Sequence, residues 1–189
     1  MTPGSLYFEG LLGGADPALV SEAADRAAVL LVRGARDSGD SEVADRLLHL
    51  ADTEGIETIA EVWAGAPADS LAGCLWRLYL LRSWVYADPV GVSREFEAGR
   101  RSAQVARVVA GVADPPGPEQ LKAMIDEVLR GIAGSDFADV LLRAAAFARV
   151  VATGRASLNG PTDAEVQRML VLSEQLEAAG HAELAHGLG

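Results

Sequence analysis

Lysine is nearly missing from this chain: Lys122 is the single one, and the other fifteen of its sixteen basic residues are arginine. The accompanying wealth of Ala, Gly, Val, Leu and Asp suggests GC-rich coding, so the arginine count by itself is no sign of phosphate binding. Cysteine is as scarce. Cys74 alone cannot form an intramolecular bridge, and inside an apolar run it reads as a small buried hydrophobe in a reducing compartment. A nucleophilic or redox thiol would need exposure and a basic neighbour, for which Arg77, one turn away, is the candidate.

Long apolar runs are also missing. A spanning helix needs about 18 or more apolar residues. The stretch CLWRLYLLRSWVYADP, residues 74–89, comes closest, and Arg77 and Arg82 interrupt it. Each arginine would cost roughly 2.5–3.5 kcal/mol at mid-membrane. The first ten residues, MTPGSLYFEG, have no basic start, and Glu9 breaks their apolar patch, unlike a secretion signal. The expectation is a cytoplasmic protein with no membrane partner.

Strand-like alternation is sustained nowhere, whereas helix punctuation is frequent. Asp16-Pro17 and Asp88-Pro89 each set a capping acid before a proline at the first helical position. Thr162 and Glu165 have the spacing of a capping box. The pattern predicts an all-α fold of seven to eight helices, a bundle or a short stack of helix pairs, near 17–36, 41–53, 56–65, 69–87, 89–112, 118–133, 136–153 and 162–179. With half its residues apolar, the 189-residue chain reads as one domain over 1–189, with a possible subdomain break in the proline-rich 114–118. Phe137, Val140, Leu141, Ala144, Phe147 and Val151 form one core stripe; Val166, Met169, Leu170, Ser173 and Leu176 form another. IAEVWAG (59–65), VARVVAG (105–111) and FARVVATG (147–154) echo one another, a period compatible with stacked helix pairs.

Charge is uneven. Residues 1–66 carry net −8, residues 67–112 carry +2 and residues 113–189 carry −5, for −11 in all. Such acidity weighs against nucleic acid as a partner. The basic middle, SREFEAGRRSAQVAR (93–107), offers Arg94, Arg100, Arg101 and Arg107, but Glu95 and Glu97 dilute any DNA-reading face.

On a helical wheel, residues 71–87 are apolar nearly all round, which places them at the centre of a domain. Arg77 and Arg82 then require carboxylates, with Glu95, Glu97, Glu57 and Glu61 as candidates. Alternatively Arg77, Arg82, Trp76 and Trp84 line a pocket for an anion or a flat ligand.

Other chemistry is thin. His181 and His186 lie five apart, off the i, i+4 spacing of a metalloprotease helix, and His49 stands alone. The glycines at 10, 13 and 14 follow no strand, and no Gly-x-Ser-x-Gly elbow is present. Acid pairs one turn apart are Glu22 with Asp25, Glu42 with Asp45, and Glu54 with Glu57, and the metal candidates among them are Glu42, Asp45, Glu54 and Glu57, extended by Glu61. In the all-α pyrophosphohydrolases a Glu-x-x-Glu precedes a Glu-x-x-Asp, whereas here it follows. Solvated acidic faces giving solubility are the favoured explanation of these pairs, and no cofactor is expected.

The segments LWRLYLLRSWV (75–85), REFEAGR (94–100), VVAGVADPPGP (108–118) and RAAAFARVVATGRA (143–156) together resemble a family of small all-helical actinobacterial proteins with no established activity. The resemblance covers the second and third quarters, implies the helical fold and assigns no catalytic residue. Function is therefore expected to be non-catalytic: a protein-interaction or scaffolding module with a protein partner or self-association. The alternatives are a ligand-binding or magnesium-dependent all-α hydrolase using the N-terminal carboxylates, and a DNA-associated regulator.

Overall fold

The computed structural model describes residues 17–33, 60–61, 63–101, 115–129 and 136–188. These form six helices and no strand. They are α1 (Pro17–Arg33), α2 (Leu71–Ala87), α3 (Pro89–Arg100), α4 (Pro118–Leu129), α5 (Phe137–Ser157) and α6 (Asp163–His186). The expected helix at 41–53, half of that at 56–65, and the echoing segment at 105–111 fall outside the described residues.

Caps set the boundaries. Ser70 opens α2, its hydroxyl accepting from the Gly73 amide at 3.0 Å. Asp88 both ends α2 and opens α3: its amide donates to the Trp84 carbonyl, while its carboxylate accepts from the Gly91 amide at 2.9 Å. Pro89 follows at the first position, where its missing N–H is no loss. Both arms of the Thr162–Glu165 capping box are formed at the start of α6. That helix runs beyond the expected end at 179, straight through Gly180. A Cβ there would lie 2.8 Å from the Leu142 side chain, so this glycine serves packing against α5 rather than termination.

The core centres on α5. All six residues of its expected stripe are buried, and so are Ala138, Ala145, Ala146, Ala148, Val150, Ala152 and Gly154. Helix α6 returns along it through the turn at 158–162, and the buried Ser173 hydroxyl donates to the Ala145 carbonyl at 2.9 Å. Helix α3 crosses α5 with almost no side chain between the backbones. A Cβ on Gly154 would stand 1.7 Å from the Glu95 carbonyl oxygen, and one on Gly99 would stand 1.9 Å from that of Val150. Phe96 and Phe147 stack beside the crossing with centroids 5.4 Å apart. Phe147 has no exposed surface, a burial worth roughly 1.5–3 kcal/mol.

Helix α2 is less central than its composition predicts. It buries Leu71, Cys74, Leu75, Leu78, Leu81 and Val85, but Leu80 is 42% exposed and Tyr86 is 48% exposed. Its aromatic side chains project far from the axis, so they reach the rim where the smaller residues of α5 stay covered. Helices α1 and α4 pack on α2, and α4 also touches α5, so helices on both sides of the 114–118 break share one core. No helix among the described residues is long and apolar enough to cross a membrane.

Candidate functional site

The central question is where the cations go. Arg82 takes Asp126 of α4, forty-four positions away, rather than any of the four glutamates nearer in sequence. Asp126 also accepts from the Tyr86 hydroxyl at 3.0 Å. The exposed Tyr86 ring is flanked by two cations, the Arg82 guanidinium at 4.5 Å and the Lys122 ammonium at 4.7 Å. Arg77 finds no carboxylate among the described residues. It donates to the Gln175 side chain at 2.7 Å and to the Gly73 carbonyl at 2.9 Å, tying α2 to α6.

The tryptophans are similarly engaged. Trp76 stacks on Tyr79 at 5.6 Å. The Trp84 ring carries the Arg155 guanidinium at 4.5 Å, and Arg155 Nε donates to Glu95 at 2.8 Å. Glu95 is therefore the partner of Arg155, and Glu97 lies exposed. Arg77, Arg82 and Trp84 thus act between helices, whereas Trp76 stacks within α2. Asp126 and Arg155, which complete their contacts, were not foreseeable from local spacing.

Cys74 is fully covered, and burial pushes its thiol up to about 12 against the opposing pull of Arg77. A thiol so protonated is a packing residue rather than a nucleophile.

Of the metal candidates, Glu42, Asp45, Glu54 and Glu57 lie outside the described residues, and Glu61 is exposed. The tail does contain one Glu-x-x-His spacing, Glu183 with His186, which attention to the histidines alone passes over. A di-iron bundle uses two such motifs. Here the Glu183 carboxylate is held by both terminal nitrogens of Arg33 and by the Leu188 amide at 2.7 Å. No group of three potential ligands gathers among the described residues.

Three exposed arginines without a carboxylate partner among the described residues gather on one surface, while Arg168, the other such residue, lies on α6. Arg26, Arg33, Arg82, Arg143, Arg149 and Arg155 each face a carboxylate within 4.0 Å. Arg94, Arg100 and Arg101, all exposed, pair with no carboxylate among the described residues, in a chain with 27 acids against 16 bases. Val90, Arg94 and Glu97 recur at helical spacing on the outward face of α3, the C-cap Arg101 continues the series, and Val90 is 79% exposed. Arg100 stands at the edge of that face, its guanidinium 5.9 Å from the centroid of the buried Phe96 ring. Arg94, Arg100 and Arg101 were foreseeable from the charge pattern; the exposed Val90 was not. Comparison with protein-family models, curated proteins and solved structures finds no match to this chain.

Proposed function

We propose that the chain is a cytoplasmic, non-catalytic interaction or scaffolding module of seven or eight helices that receives an acidic protein partner on the outward face of α3. The observation that carries this reading is the distribution of arginine partners. Elsewhere in the described structure most arginines face a carboxylate or an amide oxygen, and Arg168 of α6 is the other exposed one with no carboxylate among the described residues. On α3 and its C-cap three of them are exposed together with an exposed valine. Arginine suits such a surface because its planar fork can hold a carboxylate through two hydrogen bonds. Charge complementarity of this kind governs specificity and encounter rate, and salt weakens it.

The test is affinity capture from a lysate of the source organism, with the full chain as bait, at about 0.1 M and about 0.5 M salt. The expected outcome is a protein recovered in stoichiometric amount at the lower salt, diminished at the higher, and lost when Arg94, Arg100 and Arg101 are all changed to Glu. Recovery that ignores both salt and the triple substitution, or return of the bait alone, refutes the reading.

A further inference from the structure

Resting on that reading, we infer that two copies of this chain pair their α3 helices antiparallel about a two-fold axis, Arg94 of each facing Glu97 of the other. Glu97 carries the argument. It is exposed on the same stripe as the arginines, three residues after Arg94 and four before Arg101, and no cation among the described residues pairs with it. A partner offering carboxylates alone would be repelled there. The fitting partner brings a cation opposite Glu97 and a carboxylate opposite Arg94. The same stripe, turned end to end, brings both.

Val90, Arg94, Glu97 and the C-cap Arg101, whose backbone is still helical, follow one another at steps of four, three and four. That alternation keeps side chains on the seam between two packed helices. Reversing the stripe about its midpoint sets position 94 against 97 and position 90 against 101. In a two-fold contact each such pairing occurs twice. The stem of Arg101 then lies over Val90, which is 79% exposed in the single copy. Slipping the helices by one turn sets Arg94 against Arg101 or against itself, so repulsion fixes the register. Arg100, at the edge of the stripe, adds positive charge where two bodies of net −11 would otherwise repel.

Sedimentation velocity of the full chain, up to about 100 micromolar at about 0.1 M salt, tests this pairing. One short helix per copy makes a small contact, so a weak monomer–dimer equilibrium is expected. Glu97→Arg sets an arginine against Arg94 and should weaken dimerisation at least about tenfold; Arg94→Glu should do the same. Both positions are exposed, so the variants' thermal melts should match the wild type's and show an intact fold.

The chain carrying both substitutions has its charges exchanged and should dimerise again, as should an equimolar mixture of the two single variants. A wild type that stays monomeric, single variants that dimerise as well as wild type, or an exchanged chain no better than they are, overturns the inference. In the capture experiment the recovered protein should be the endogenous chain. Failure of the broader reading is distinguishable. A monomeric protein that captures a different acidic partner through Arg94, Arg100 and Arg101, undiminished by Glu97→Arg, loses only the self-pairing.

Discussion

Helices α3, α5 and α6 meet through small side chains; α1, α2 and α4 meet through large ones. In the first group, Gly99 and Gly154 bring backbones almost into contact, and alanines fill much of the remaining α5 surface. In the second, Trp63 reaches into α1 to donate its indole N–H to the Ala24 carbonyl at 3.1 Å, and Tyr86 and Arg82 reach across to Asp126 of α4. The two groups are joined by arginines: Arg33 to Glu183, Arg77 to Gln175, and Arg155 over Trp84. Side-chain length, more than apolarity, decides which helix is innermost. Small residues allow many covered contacts over a whole helix, while long ones hold neighbours apart and leave their ends at the rim.

The sharpest way to break this arrangement is to remove the carboxylate at the glycine crossing. Glu95 and Arg155 are 12% and 14% exposed at their side chains. Glu95→Ala would strand a largely buried guanidinium and should destabilise by about 3–5 kcal/mol. Replacing both residues by Met should recover most of that loss, since the desolvation cost of each charge disappears with it. Urea unfolding midpoints at constant slope measure both effects. Equal losses in the single and double variants would show that packing, not the stranded charge, sets the cost.

A smaller effect should come from Gly154→Ala. Alanine is the better helix former by about 1 kcal/mol. Here its Cβ would overlap the Glu95 carbonyl, so a net loss of about 2 kcal/mol is expected. Gly117→Ala, whose Cβ would meet nothing within 4 Å, should change stability by less than about 0.5 kcal/mol. A stabilised Gly154→Ala protein would show that α3 and α5 can separate freely, and the contrast between the two helix groups would collapse.

The all-helical class, the Asp88 and Thr162 caps and the α5 stripe were legible in the sequence because each depends on local stereochemistry or helical period. The identity of the innermost helix was not. Hydropathy ranked 71–87 first, since large aromatics weigh heavily there, but close approach rewards Gly99 and Gly154, which hydropathy scores poorly. Partners were the least legible feature. The sequence showed that Arg82 needed an acid, and only the fold could bring Asp126 to it. Of the candidate surface, the three arginines were visible as a basic segment. That no carboxylate among the described residues pairs with them emerged only from the fold.

The Arg33–Glu183 joint should be weaker than the Glu95–Arg155 pair, and Glu183 offers a test with a definite sign in pH. Hydrogen bonding from Arg33 holds its carboxyl below the ordinary glutamate value of 4.5, despite partial burial, and the Leu188 amide adds to the effect. Between the lowered folded value and 4.5, the unfolded chain binds more protons than the folded one, so stability rises with pH across that interval. The contribution is complete above 4.5 and is lost as pH falls through the folded value. Glu183→Gln should cost about 1.5 kcal/mol at neutral pH, the low end for hydrogen bonds to charged groups, because Arg33 remains 28% exposed. Its difference from wild type should shrink on acidification, as followed by urea midpoints from about pH 6 to about pH 3. A difference that stays constant over that range would mean that shape, rather than charge, holds the end of α6 against α1.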